Sequence, residues 1–104
     1  MQFEAFKGHV DLLLLAVLAK GPAHGYRIVE LLRQRSDGVF DLAEGTVYPA
    51  LYRLERQGVV TSSWTSSEGR RRRVYRLTRR GAKQLAARRR AWKDFAGAMK
   101  EVLA

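Results

Sequence analysis

Arginine and tyrosine carry most of the chemistry this chain can offer, and they concentrate in two places. From Ala43 to Gly58 the sequence reads Ala-Glu-Gly-Thr-Val-Tyr-Pro-Ala-Leu-Tyr-Arg-Leu-Glu-Arg-Gln-Gly, and further on Arg70, Arg71, Arg72 and Arg73 form an unbroken run. Wound as a helix at about 100° per residue, the first stretch sets Val47, Ala50, Leu51 and Leu54 on one face and Thr46, Pro49, Arg53 and Arg56 on the other. Tyr48 and Tyr52, four residues apart, flank the two faces, where their rings can pack inward while their hydroxyls bond outward. One side predicts a core contact and the other suits a polyanion.

The same inventory speaks against catalysis. His9 and His24 fall in different segments, neither HExxH nor P-loop spacing occurs, and Asp37, Asp41 and Glu44 form a loose acidic group explained by turn and helix-end chemistry. No catalytic residue, no cofactor and no metal site are expected. A metal-responsive role through His9, His24 or those acids is the alternative to be tested, because effector sites vary on one scaffold. The absence of cysteine rules out a disulfide framework or a thiolate metal site.

With 104 residues, 46% of them hydrophobic, the chain suits one folding unit with a single modest core. The formal charge of +10 is uneven. Residues 1 to 69 hold seven Lys or Arg against eight acids, whereas residues 70 to 104 hold thirteen against two. A basic field confined to the last third favours nucleic acid or another anionic surface. The apolar run Leu12 to Ala19 is eight residues long, short of the roughly 20 needed to span a bilayer. With Asp11 abutting that run, export is not expected, and the predicted location is cytoplasmic, off the membrane.

Val10 to Ala19 predicts a buried first helix stopped by Gly21-Pro22. Tyr26, Ile28, Val29, Leu31 and Leu32 build a second, amphipathic helix to about Arg35, closed by Ser36-Asp37-Gly38, where Asp37 is expected to bond its own backbone. Ala43 offers no side-chain cap to the third helix, and Pro49 presses on the carbonyl of Gly45, so the first turn has room to tighten. After Gly58 the period changes to two: Val60, Ser62 and Trp64 alternate, Ser66 to Gly69 reads as the turn, and Arg73, Tyr75 and Leu77 alternate again. The four arginines are thereby expected at the hairpin tip. Thr78 should cap a last helix ending near Leu103, on which Leu85, Trp92 and Met99 recur every seven residues with Phe95 and Val102 beside them.

Three helices, a hairpin and a long final helix describe a mainly α fold, the winged helix-turn-helix, in which the second and third helices read DNA and the hairpin is the wing. The expected division is residues 1–78 as the DNA-binding domain and 79–104 as a dimerisation helix in the same folding unit. His24-Gly25-Tyr26 after Gly21-Pro22, the run Gly45-Thr46-Val47-Tyr48-Pro49-Ala50-Leu51-Tyr52-Arg53-Leu54-Glu55, and the turn from Gly69 to Arg73 leading to Tyr75-Arg76-Leu77-Thr78 and Gly81 resemble the PadR family of bacterial transcriptional regulators. The likeness runs over roughly residues 8 to 104 and is to the family's compact subgroup with a single C-terminal helix; Ala43 departs from the Ser or Asn often found there.

The resemblance implies a homodimeric repressor of double-stranded DNA, released by a small effector, with the last helix crossing onto the first helix of the partner. Position by position, it implies DNA contacts from Tyr26, Thr46, Tyr48, Pro49 and Arg53, and from the wing arginines Arg70, Arg71, Arg72 and Arg73. The dimer interface would draw on Leu12, Leu15, Leu85, Trp92, Phe95, Met99, Val102 and Leu103. A small planar aromatic effector would lie against Trp92, Phe95, Arg88 and Arg89. A winged helix serving protein contacts alone is the other reading; it predicts little affinity for duplex DNA and no steep salt effect.

Overall fold

The computed structural model describes residues 7–104; residues 1–6 of the expected first domain lie outside it. After a 3₁₀ turn at Lys7–His9, the chain forms helix α1 (Val10–Ala19), a two-residue strand β1 (Ala23–His24), helices α2 (Gly25–Arg35) and α3 (Glu44–Arg56), strands β2 (Val60–Ser67) and β3 (Arg70–Leu77), and helix α4 (Arg79–Leu103). The strands form one antiparallel sheet in the order β1-β3-β2. The fold is mainly helical with a small hairpin, as the pattern predicts, and β1 adds a third strand that the pattern did not indicate.

α1 lies at the centre because it is apolar on nearly every side: Leu14 and Leu15 are wholly buried, with Val10, Val17 and Leu18 nearly so. α2 adds Ile28, Val29 and Leu32, and α3 adds the face foreseen for it, Val47, Ala50, Leu51 and Leu54. Val59, Val60, Tyr75 and Leu85 close the core from the side of the sheet and the first turns of α4.

The turn after α2 is tied by Ser36 and not by Asp37. Ser36 Oγ donates to the Leu32 carbonyl (2.6 Å) and accepts from the Phe40 amide (2.8 Å), while Asp37 itself takes a left-handed φ of 54° before Gly38 at 85°. Serine wins because its hydroxyl both donates and accepts, so it bridges the helix end and the outgoing chain. At α3 the Ala43 side chain makes no cap, and the Ala43 carbonyl accepts from both Thr46 (3.0 Å) and Val47 (3.1 Å). That shared bond adds a 3₁₀-type contact in the turn ahead of Pro49, and Gly45 has nothing within 4 Å of where a Cβ would stand.

The hairpin is longer and its turn tighter than the sequence pattern indicated. Pairing runs from Val60 opposite Leu77 out to Ser67 opposite Arg70, leaving Glu68 and Gly69 alone in the turn with φ of 52° and 75°. Two consecutive positive φ values match the twist of a two-residue hairpin. The four arginines therefore belong to strand β3 and not to a loop. Thr78 caps α4 as foreseen: its hydroxyl accepts from the Gly81 amide (3.0 Å) and donates to the Gly58 carbonyl (2.8 Å). α4 has 25 residues, about 37 Å of helix, yet only Gly81 and Leu85 along it are buried. No helix among the described residues is long and apolar enough to cross a membrane.

Candidate nucleic-acid interface

Because its core face is fixed by four buried apolar residues, α3 must turn Thr46, Tyr48, Pro49, Tyr52, Arg53 and Arg56 outward. Tyr48 is 41% exposed and lies across Gly25 at the start of α2, so closely that a Cβ on Gly25 would stand 2.6 Å from the tyrosine oxygen. A glycine at the start of α2 thus seats the ring. Tyr26, 54% exposed, stands one residue further into the same helix. Arg56 lies over the Tyr52 ring, 5.8 Å from its centroid.

Arg53 is not free on this surface: its guanidinium is hydrogen-bonded to Asp11 of α1 in an ion pair whose carboxylate side is largely shielded. A base contact from Arg53 has to replace that pair. The bond joins residues 42 apart in sequence, so helix periodicity alone gave no sign of it.

Alternation along β3 separates the four arginines. Arg70 follows the turn directly. Arg71 stacks over the indole of Trp64 at 4.8 Å, and Arg73 approaches the same ring at 5.5 Å. On the other face, Arg72 Nη1 lies 2.7 Å from His24 Nε2. Arg73 is also bound inward: its Nε donates to Ser62 Oγ (2.8 Å), that hydroxyl donates to Glu55 Oε2 of α3 (2.6 Å), and Arg73 Nη2 is 3.7 Å from Glu55 Oε1. Glu55, Ser62 and Trp64 were missed as participants; the signal available was the pairing of Trp64 with Arg73 once the strands are aligned.

His24, weighed from sequence as a metal ligand, serves the helix instead. Its Nδ1 accepts from the Arg27 amide at 3.2 Å and so caps α2. A neutral imidazole has one acceptor nitrogen, so Arg27 and Arg72 compete for it. Partial burial, then the charge of Arg72, lower the His24 pKa from its usual 6.5, with Glu30 opposing and Arg27 adding to the effect. Burial raises the Tyr75 phenol above its usual 10.0 against the opposing charge of Arg73. His24, Tyr26, Tyr48, Trp64, Tyr75 and the four arginines line one groove of about 430 Å³ between the hairpin and the two helices. Donors, cations and flat rings facing one channel can bind phosphates and stack or pack on sugars and bases.

A second feature lies on α4. Trp92 packs edge-on against His9 (5.1 Å between centroids) and beside Phe95 (5.9 Å), and with Leu12, Arg88 and Ala91 they line a hollow of about 240 Å³. Arg88 faces this hollow and Arg89 does not line it. Trp92, Phe95, Met99, Val102 and Leu103 are all exposed, whereas Leu15 and Leu85 are already buried in the chain's own core and have no surface left for a partner. The heptad reading went wrong there because the first turns of α4 lie on α1, so a stripe continuous along the helix serves two different neighbours. Among the described residues no three His, Cys, Asp or Glu gather as a metal site, and Asp41 pairs with Arg33 at 3.0 Å.

Similarity to known proteins agrees with this geometry. A transcriptional regulator of Mycobacterium tuberculosis is 36% identical over 87 residues, covering 84% of this chain and 78% of the relative. A transcriptional regulator structure from Clostridium thermocellum superposes with a TM-score of 0.88 at 28% identity over 97% of this chain and 96% of the other. A PadR family transcription regulator from Clostridium difficile superposes at 0.81 and 32% identity over 92% and 99%. With residues 14–87 matching the family model described as the transcriptional regulator PadR-like family, and with a winged helix-turn-helix carrying a cationic groove, the chain belongs to the PadR-like family of transcriptional regulators.

Proposed function

We propose that the chain is a homodimeric repressor that binds a pseudo-palindromic duplex operator and releases it when a small planar aromatic compound binds near Trp92. The observation that carries the DNA part is the cationic groove, in which Tyr26 and Tyr48 from the helices face Arg70, Arg71 and Arg72 on the hairpin. Thr46, Tyr48 and Pro49 at the start of α3 read the major groove, since recognition helices contact base edges with their N-terminal residues. Arg53, held by Asp11, gains a base contact only by exchanging one carboxylate for another acceptor. Such an exchange makes its contribution to specificity larger than its contribution to affinity.

One α3 per chain reads one half-site, so a dimer places two half-sites about 34 to 36 Å apart. Support for pairing comes from the exposed apolar row of Trp92, Phe95, Met99, Val102 and Leu103 on the part of α4 that touches no core of its own. Leu12, half-buried at the rim of the hollow, adjoins that row. An effector seated against Trp92 and Phe95, with Arg88 for electron-rich or anionic rings, shifts α4 and thereby the spacing of the α3 helices, and lowers DNA affinity by its differential affinity for the two dimer states. The cytoplasm is where such a regulator works.

Selection of duplexes from a random pool by the purified protein, followed by titration at two salt concentrations, tests the DNA reading. A selected palindrome with steep salt dependence is expected, and a protein that enriches nothing and shows no salt effect refutes it. Sedimentation tests the dimer, which Phe95→Asp should dissociate by placing a charge in the apolar row. Quenching of Trp92 by planar aromatics in a Trp64→Phe background, at concentrations that also weaken operator binding, tests the effector.

A further inference from the structure

Only Gln57, Gly58 and Val59 connect α3 to β2, and Gly58 takes a left-handed φ of 77°. Burial in the hairpin is confined to its base, at Val60 and Tyr75, and β1 pairs only with Val74 and Tyr75. From Ser62 outward, five residues carry the hairpin about 17 Å to its turn. A lever of that length turns a rocking of about 10° at the base into a tip displacement of about 3 Å, enough to break every phosphate hydrogen bond made there. Something other than core packing has to hold the angle.

We propose that Glu55, Ser62 and Arg73 form a polar strut that fixes the hairpin's angle to α3, so that Arg73 acts as a positioning residue within the protein while Arg70, Arg71 and Arg72 are left for DNA. The strut is closed: Arg73 Nε donates to Ser62 Oγ at 2.8 Å, Ser62 Oγ donates to Glu55 Oε2 at 2.6 Å, and the Arg73 guanidinium faces the second carboxylate oxygen at 3.7 Å. It joins α3 to both strands of the hairpin diagonally, from Ser62, opposite Tyr75, to Arg73, opposite Trp64. The Trp64 ring, 5.5 Å from the guanidinium, borders it on the outer side. A strut of this kind contributes by preorganisation: α3 and the hairpin engage the duplex together without first losing the freedom of one relative to the other.

This inference rests on the DNA-binding reading for its affinity measurements and not for its distance measurement. The chain has no cysteine, so nitroxides can be placed on Glu44→Cys at the start of α3 and Ser67→Cys at the hairpin end, with excess unlabelled chain to suppress distances between protomers. Pulsed electron resonance should give a single narrow distance in the parent and a broadened one in Ser62→Ala and Glu55→Gln. On a duplex selected by the protein, both changes should weaken binding about five- to tenfold, the equivalent of one ordinary hydrogen bond. On a scrambled duplex they should have little effect, and the salt slope should stay unchanged. Arg73→Ala should likewise leave the slope alone. The strut is overturned if the distance distribution stays narrow, if Glu55→Gln tightens both duplexes alike because it merely unmasks an arginine, or if Arg73→Ala lowers the slope by about 0.9 as a lost phosphate contact would. Should no variant and no parent bind duplex DNA, the regulator reading fails while the spin distances still decide the strut.

Discussion

Gly81 and Gly97 stand on the same helix, and replacing each with alanine should move stability in opposite directions. In a helix interior Gly→Ala ordinarily stabilises by about 0.5 to 1 kcal/mol, because glycine loses more backbone freedom on folding. Gly97 has nothing within 4 Å of a would-be Cβ, so Gly97→Ala should show that gain. At Gly81 a Cβ would overlap the Val59 carbonyl oxygen and stand 2.7 Å from Leu77 Cδ1 and 3.0 Å from the Val59 carbonyl carbon. The oxygen has to retreat by over ~1 Å to restore an ordinary contact. It also accepts from the Thr78 amide at 3.1 Å, a bond worth about 1 kcal/mol. The retreat further separates α4 from the core at Val59 and Leu85, both almost fully buried, an overpacking cost of about 1 to 3 kcal/mol. Less the helix gain, Gly81→Ala should destabilise by about 1 to 3 kcal/mol and lie about 2 to 4 below Gly97→Ala. Urea unfolding followed by circular dichroism, at one protein concentration because pairing adds to stability, measures both. A Gly81→Ala protein as stable as the parent would refute the packing argument.

Three further outcomes are expected. Gly25→Ala should push the half-exposed Tyr48 ring out of the groove, costing under about 1 kcal/mol of stability but weakening duplex binding severalfold; unchanged affinity in filter binding would remove Tyr48 from the interface. Because the His24 pKa is lowered in the fold, the neutral ring is the favoured form: its contribution to stability is complete above about 6.5 and lost as pH falls below that value toward the folded pKa. His24→Asn, which keeps a cap acceptor but cannot take a proton, should flatten that part of a melting-temperature profile, and an unchanged slope would show that other groups set it. Arg71→Ala should weaken selected and scrambled duplexes equally and reduce the salt slope by about 0.9, whereas a loss confined to the selected duplex would make Arg71 a base reader.

Period and punctuation in the sequence determined which segments became which elements, because those signals are local. The apolar face of α3, the change to alternation after Gly58 and the Thr78 cap are each set within a few residues, by side-chain direction and nearby backbone bonds. The polar face of α3 and the aromatic row of α4 were legible for the same reason. The structure alone decided what each polar group on those faces touches. Asp11 reaches Arg53 across 42 residues, Arg72 reaches His24 across 48, and Thr78 closes on Gly58 across 20. Arg71, Arg72 and Arg73, identical and consecutive, received different environments because a strand alternates its faces: Trp64 and Ser62 are the neighbours on one and His24 on the other. Leu85 and Trp92, equivalent in a heptad, were separated in the same way: the first is buried in the chain's own core, and the second meets the start of α1 at His9 and stays 44% exposed. A one-dimensional pattern fixes where a side chain points on its element, and only the packing of elements fixes what it meets there.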